Sequence, residues 1–285
     1  MSPVDVEAAY RACEHITRTE ARNFNYGIKL LPEGKRRAMC ALYALARRID
    51  DIGDGDLPDP EKLAGLARVR KEVASLRDSV DGADAVLVAV ADVCRNYPIP
   101  LAALDELIDG CEMDVQGTSY ETFDDLVAYC RRVAGTIGRL SLAVYGCEDP
   151  ERAAPLADDL GVALQVTNIL RDIVEDHQQM GRVYLPAADR DRFGVPADLS
   201  GPSDRLVALI AFESVRVEEW YERGLQLLPM LDWRSRACTA AMAGIYRRLL
   251  TAIQRDPAAV LRGRLSLPGW QKAGVAVRAL ARGES

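Results

Sequence analysis

The chain has 285 residues, of which 49% are hydrophobic and 28% charged, and its formal net charge at pH 7 is −7. This acidic balance gives no basic footprint for nucleic acid, and no apolar run reaches the length of about 18 residues typical of a membrane-spanning helix. Aromatic residues make up only 6% of the chain, and no break in composition divides it. We therefore predict one all-α domain over residues 1–285.

Cysteine and histidine usage excludes several kinds of site. The seven cysteines are scattered without a Cys-x-x-Cys pair, which is typical of free thiols in a reducing compartment. With two histidines in the chain, a His-based zinc site or a Ser-His triad is disfavoured. The first residues lack the basic and apolar regions of a signal peptide, so we predict a cytoplasmic protein.

The first half of the chain is predicted to form helices separated by short breaks, which proline and glycine mark. The predicted helices run from a Ser2-Pro3 cap to about Thr17, from Pro32 to an acidic cluster at residues 50–54, twice between Leu57 and Asn96 on either side of Asp81-Gly82, from Pro100 to about Gln116, and from Phe123 to Tyr145.

A polar cluster stands at the end of the second of these helices. Asp50 and Asp54 lie one helical turn apart, so their carboxylates project from the same face. Carboxylates at a helix C-terminus interact unfavourably with the negative end of the helix dipole. An unfavourable arrangement of this kind is typical of a functional site, where bound cations neutralise the carboxylates. The alternative is a glycine-rich acidic turn that caps a surface helix, with Asp51 and Asp56 solvated.

A second polar cluster lies on the helical pattern from Gln165 to Tyr184. At 100° per residue, Gln165, Asn168, Ile169, Asp172 and Asp176 fall within about 60° of one direction, beside an apolar arc. Hard oxygen ligands without His or Cys suit magnesium. The alternative is the solvated face of an amphipathic helix.

The last third of the chain contains few chemical signals. Residues 187–202 are rich in glycine and proline and are predicted to form a loop that covers a cavity. Two further helices are predicted, over residues 203–229 and 233–256, and an amphipathic tail over residues 267–282 is compatible with packing or with peripheral membrane contact. Monomer and homodimer both remain open.

Together the clusters resemble the squalene and phytoene synthase family of trans-isoprenyl diphosphate synthases. Asp50-x-x-x-Asp54 is similar to the first Asp-rich motif of the family, and residues 129–138 (YCRRVAGTIG) are similar to its middle signature. Residues 168–176 (NILRDIVED) followed by 181–186 (GRVYLP) are similar to the second Asp-rich motif. The resemblance spans roughly residues 10–250 and implies an all-α isoprenoid synthase fold, with helices around a central apolar cavity.

The resemblance also implies a set of site residues. Magnesium would be held by Asp50, Asp54, Asn168, Asp172 and Asp176. Arg47 and Arg171 would neutralise the leaving diphosphate, with a salt bridge from Arg47 to Asp50 or Asp51 as the alternative. Further substrate contacts are implied for Asn23, Phe24, Gln165 and Arg182, and for Gly135 and Gly138, for which close helix packing is the alternative. Tyr129, Tyr184 and Tyr246 are implied to orient diphosphate or to move protons, whereas Glu112 and Asp114 are interpreted as surface or supporting charges.

The implied reaction is a head-to-head condensation of two prenyl diphosphates to a cyclopropylcarbinyl diphosphate. Residues 21–24 (ARNF), in which Ala21 replaces a common serine, resemble bacterial presqualene diphosphate synthases of hopanoid pathways, and this predicts farnesyl diphosphate as the substrate. Phytoene, squalene and dehydrosqualene synthases are the alternatives within the family. A terpene cyclase and a non-catalytic helical assembly protein are the alternatives outside it; the middle signature argues against the first, and the complete acidic motifs argue against the second.

Overall fold

The computed structural model describes residues 5–21, 23–77 and 84–283. Within these ranges the regular secondary structure is helical and contains no strand, which confirms the all-α prediction. No helix in the described ranges is long and apolar enough to cross a membrane. The predicted cap at Ser2-Pro3 and the predicted break at Asp81-Gly82 lie outside the described residues.

The helices follow the predicted order, with Asp5 capping the first of them through its side chain. They are α1 (Val6–Glu20), α2 (Phe24–Ile28), α3 (Glu33–Asp54), α4 (Asp59–Ala74), α5 (Ala85–Asn96), α6 (Leu101–Val115), α7 (Phe123–Cys130), α8 (Thr136–Tyr145), α9 (Pro150–Met180), α10 (Ala187–Phe193), α11 (Ser203–Gly224), α12 (Trp233–Arg255), α13 (Ala259–Arg262) and α14 (Gly269–Gly283).

Three predictions about the helices are wrong in detail. The pattern from Phe123 to Tyr145 is not one α-helix, because a π-helical segment at residues 131–135 separates α7 from α8. The helix α9 ends at Met180 rather than at Tyr184, because Gly181 adopts a left-handed φ of 65° and donates its N–H to the carbonyl of His177. The predicted loop over residues 187–202 begins with α10, which starts directly after Pro186.

Two large clusters, which α9 connects, make up most of the apolar interior of the described residues, and a small third cluster lies between α12 and α14. One large cluster joins α1, α3, α4, α5, α6, α8 and the first part of α9, and the other joins α7, the rest of α9, α11 and α12. Because α9 contributes buried residues to both, it runs through the middle of the domain, and its polar arc is enclosed by helices rather than exposed on one side.

Glycines allow α9 to approach the π-helical segment and α8 at backbone distance. A Cβ atom at Gly161 would lie 2.6 Å from the carbonyl oxygen of Ala134, and one at Gly138 would lie 2.6 Å from that of Ala157. No side chain fits at these positions, so the contact requires glycine on both helices. This contact holds α9 in place, so that the polar side chains between residues 165 and 176 face the centre of the domain.

Candidate active site

A polar cavity and an apolar cavity adjoin at the centre of the helices. The apolar cavity has a volume of about 260 Å³ and the polar cavity about 320 Å³. Their walls share Arg47, Asp50, Val133, Gln165 and Asn168, so the polar cavity opens directly into the apolar one. Such a site can hold a charged head group and an apolar chain of the same molecule.

The depth of the apolar cavity can be read from the helices that form its walls. On α3 the wall extends from Asp50 to Met39, and on α9 it extends from Asn168 to Ala157. Each stretch spans eleven steps from one residue to the next, which corresponds to about 16 Å at a rise of 1.5 Å per residue. The far end of the cavity includes Tyr145. The backbone carbonyl of Tyr145 accepts a hydrogen bond from Lys35, which lies near the start of α3, whereas Asp50 lies near its end.

The first acidic motif lines the polar cavity from the C-terminal end of α3. The Cys111 thiol lies 3.6 Å from Asp50, and burial together with the nearby carboxylate of Asp54 raises the pKa of Asp50 to about 7. Asp54 accepts a hydrogen bond of 2.7 Å from the Arg182 guanidinium, which reaches across from the segment after α9. Arg47 pairs with Asp51 at 2.7 Å, as the alternative reading predicted, while lining both cavities.

The second acidic motif lines the polar cavity from α9. Arg171 is 8% exposed, and its Nε donates to Asp172 at 2.8 Å. Arg264, from the segment between α13 and α14, also pairs with Asp172 at 3.0 Å and with Glu175 at 3.4 Å. Burial and the charge of Asp172 raise the pKa of Asp176 to about 7. Arginine therefore neutralises part of the charge in both motifs.

Asn168 carries an unsatisfied oxygen at the point where the two cavities meet. Its Oδ1 atom is buried and has no hydrogen-bond partner among the described residues. Leaving a buried acceptor unpaired costs about 1–3 kcal/mol, so the position favours a ligand that supplies a positive charge or a donor. An amide oxygen beside several carboxylates is a donor set that suits magnesium. Within the described ranges, no three Asp, Glu, His or Cys side chains converge into a metal-binding group.

A carboxylate and two phenols form a network on the third side of the polar cavity. Tyr129 and Tyr184 donate their hydroxyl hydrogen bonds to the two oxygens of Asp114, at 2.8 and 2.9 Å. Burial raises the pKa of Asp114 to about 6, and it raises the pKa of both phenols well above their ordinary value. The phenols therefore remain protonated and can act as hydrogen-bond donors near neutral pH.

Some of the remaining predicted residues line one of the two cavities, and others do not. Phe24 and Gly138 lie on the wall of the apolar cavity. Tyr246 is buried, and its ring centroid lies 5.7 Å from that of Phe24 with the two rings tilted, but Tyr246 itself lines neither cavity. Gly135 lies in the helix contact, where a Cβ would approach the carboxylate of Asp158. Asn23 stands at the N-cap position of α2, but its half-exposed side chain makes no capping hydrogen bond. Neither of these two lines either cavity.

Sequence reasoning did not assign Asp114 or Arg264 to the site. The sequence interpretation of Asp114 as a surface charge is wrong, because its carboxylate lies on the cavity wall and accepts hydrogen bonds from two phenols. Its interpretation as a supporting charge is compatible with this position. Glu112, by contrast, pairs with Arg70 on α4. No local pattern distinguishes Arg264, because its partner Asp172 lies 92 residues earlier in the chain.

Three comparisons with known proteins agree on the architecture. A family model described as squalene/phytoene synthase matches residues 17–271. A phytoene synthase of Mycobacterium tuberculosis is 50% identical over 283 residues, which cover 97% of this chain and 92% of the relative. The crystal structure of a dehydrosqualene synthase in complex with a ligand has a TM-score of 0.87 at 28% identity and covers 98% of both chains. A squalene synthase from Alicyclobacillus acidocaldarius has a TM-score of 0.79 at 28% identity, over 89% of this chain and 95% of its own.

Proposed function

The chain belongs to the squalene/phytoene synthase family, and on this basis we propose that it joins two prenyl diphosphates head to head with release of diphosphate. One observation carries the proposal: a polar cavity with acidic residues on two helices opens into an apolar cavity at the shared residues Asp50 and Asn168. The polar part suits the diphosphates and the apolar part suits the prenyl chains.

The arginines of the polar cavity provide the charge that a diphosphate requires. Arg47, Arg171 and Arg182 line it, and each guanidinium offers paired donors that match phosphate oxygens. In the proposed reaction they bind the diphosphate and stabilise the negative charge that develops on it as the carbon–oxygen bond breaks. Because Arg171 and Arg182 already contact Asp172 and Asp54, their guanidinium groups are held in place before the substrate arrives.

Magnesium is proposed as the metal because of the donor set of the two acidic motifs. It would be held by carboxylate and amide oxygens, from Asp50, Asp54, Asn168, Asp172 and Asp176. When bound, magnesium would act as a Lewis acid on the leaving diphosphate. The raised pKa values of Asp50 and Asp176 and the unpaired Asn168 oxygen support this proposal, since each indicates a deficit of positive charge in the polar cavity.

The apolar cavity would protect the reactive allylic cation. Its wall consists mostly of apolar side chains, which exclude water. The hydroxyls of Ser141 and Thr239 also lie on this wall, and each donates to a backbone carbonyl of its own helix. Tyr129 and Tyr184 lie at the polar side of this wall with their hydroxyl hydrogens directed at Asp114. In the proposed reaction Asp114 keeps these two neutral phenols fixed on the wall of the polar cavity, beside the bound diphosphate.

The proposed product is phytoene, formed from two C20 prenyl diphosphates. The proposal is supported by 50% identity, over nearly the whole chain, to a protein named phytoene synthase. Forming phytoene requires two ionisations and the loss of a proton, and no external reductant. The second candidate is presqualene diphosphate from two farnesyl diphosphates, and the observation that favours it is Ala21, a small buried residue in place of the common serine.

Product analysis distinguishes the two candidates. Purified protein with magnesium is incubated with either farnesyl or geranylgeranyl diphosphate, with and without NADPH. The products are extracted into organic solvent and identified by mass spectrometry. We expect a C40 hydrocarbon from the C20 substrate that does not depend on NADPH. A phosphorylated C30 cyclopropane from farnesyl diphosphate would support the second candidate, and no condensation of either substrate would contradict the proposed reaction.

A further inference from the structure

The helices α12 and α14 differ in charge from the rest of the chain. The sequence of α12 contains five arginines and no acidic residue, and that of α14 contains three basic residues and no acidic one. The chain as a whole has a formal net charge of −7. Because the two helices pack against each other, they form a positively charged part of an acidic protein. Such a local excess of positive charge favours an anionic ligand.

A groove lies along the contact between these two helices. Arg236 and Arg248 of α12 and Arg278 of α14 line it, and its volume is about 280 Å³. Ala240 and Gly244 lie on its wall at four-residue steps between the two arginines of α12, so all four share one side of the helix. The groove therefore has small residues at its centre and arginines at both ends.

The arginines of the groove lack anionic partners. Among the described residues none of the three forms an ion pair, and no carboxylate lines the groove. One Nη of Arg236 donates to the carbonyl of Leu231 at 3.2 Å, but its Nε is buried without a partner. A buried donor without an acceptor is unfavourable, so the groove has both uncompensated positive charge and an unused donor.

We propose that this groove binds a soluble anion that carries a phosphate or diphosphate group. Guanidinium groups match phosphate oxygens in charge and in the geometry of their paired donors. The anion would supply the acceptor that Nε of Arg236 lacks. It would also contact Arg278 on the other helix, so its binding would join α12 to α14.

The orientation of α14 favours a ligand from solution over the head group of a bilayer lipid. Val275 and Ala279 line the groove, whereas the exposed Trp270 and Val277 lie on the opposite side of the helix. The groove therefore does not share a surface with the exposed apolar residues of α14.

The groove is separate from the candidate active site, although α12 borders both. Thr239 and Met242 of α12 lie on the wall of the apolar cavity, whereas Ala240 and Gly244 lie on the wall of the groove. No residue lines both the groove and either of the two central cavities. The inference therefore does not depend on the proposed condensation reaction.

Isothermal titration calorimetry of the full-length protein with inorganic diphosphate tests the proposal. The titration contains EDTA, and the ionic strength is held constant so that general screening does not contribute. We expect saturable binding of the anion. The R248Q/R278Q variant should weaken it by at least about tenfold, because charge-assisted contacts between arginine and phosphate are stronger than neutral hydrogen bonds.

Two control variants separate the groove from other arginines. Arg255→Gln removes an exposed arginine at the end of α12 that does not line the groove. Arg182→Gln removes an arginine of the polar cavity. Both variants should bind diphosphate in the groove as tightly as the unmodified protein. The R248Q/R278Q variant should retain condensation activity with magnesium, so a failure of the groove is distinguishable from a failure of the proposed function.

Hydrogen exchange, measured by mass spectrometry, locates the anion without any substitution. In EDTA, diphosphate should slow exchange severalfold in α14 and in residues 236–248 of α12, because a ligand that joins the two helices opposes their local opening. Sodium chloride at the same ionic strength should not produce this protection.

Four results would overturn the proposal. The first is the absence of saturable binding, and the second is equal affinity in the R248Q/R278Q variant. The third is protection confined to α3 and α9, which would place the anion in the polar cavity alone. The fourth is binding to phosphatidylglycerol vesicles that requires Arg248 and Arg278 while soluble diphosphate does not bind, which would assign the groove to a lipid head group.

Discussion

Replacing Asp114 by asparagine tests whether the carboxylate beneath the two phenols matters for turnover. Asp114 accepts from Tyr129 and Tyr184 through its two oxygens, whereas an asparagine amide has one oxygen and can keep one of these bonds. A hydrogen bond to a charged group contributes about 1.5–3 kcal/mol. If that energy holds the phenols in position during ionisation, kcat falls by about 10- to 100-fold.

The KM should change little in this variant, because the arginines that bind diphosphate are not altered. Steady-state release of diphosphate measures both constants, and Asp59→Asn, an exposed acid at the start of α4, is the matched control. The combined variant D114N/Y129F/Y184F should be no slower than Y129F/Y184F, since position 114 then has no phenol bond left to lose. A kcat of D114N within about twofold of the unmodified protein, a loss confined to KM, or additive losses in the combined variant would refute this role of Asp114.

Three further predictions follow from the site and the packing. Asp54→Asn and Asp172→Asn should each lower kcat by at least about 100-fold at saturating magnesium while the helical circular-dichroism signal is retained, whereas full activity in either variant would remove it from the proposed metal site. Gly138→Ala should destabilise the fold by about 1–3 kcal/mol, measured by denaturant unfolding, because its Cβ would lie 2.6 Å from a carbonyl of α9; an unchanged midpoint would contradict this contact. Burial raises the pKa of Glu213 to about 8, so the folded state retains a proton that the unfolded state releases, and stability falls as pH rises from about 4.5 to 8. Glu213→Gln should lose this dependence, so its melting temperature should exceed that of the unmodified protein above pH 8 and match it near pH 5.

Helical periodicity was sufficient to predict the two walls of the site. Asp50 and Asp54 on α3, and Asn168, Asp172 and Asp176 on α9, line the same cavity. Each set lies on one face of one helix, and the direction of a helical side chain follows from its position in the chain. The pattern could therefore predict which residues share a wall, and the resemblance to a family predicted that the walls face each other.

Contacts between distant segments could not be predicted in this way. Arg182 contacts Asp54, which lies 128 residues earlier in the chain, because α9 ends at the left-handed Gly181 directly before it. The helical period of the sequence does not extend past this glycine, so it could not predict the direction of the Arg182 side chain. Arg264 meets Asp172 from a segment between two helices, where side-chain directions do not repeat. The π-helical segment before α8 likewise belongs to the close contact with α9, so it is a property of two helices rather than of one sequence pattern.

The charge of the polar cavity explains how an acidic protein can bind an anionic substrate. Burial and neighbouring carboxylates raise the pKa of Asp50 and Asp176 to about 7, so ionising both carboxyl groups requires additional positive charge. Arg171 and Arg182 supply part of that charge through Asp172 and Asp54. A diphosphate that arrived without cations would compete with these carboxylates for the same arginines. Divalent cations would satisfy the carboxylates and release the arginines for phosphate, and we infer that cation and diphosphate strengthen each other's binding at this site.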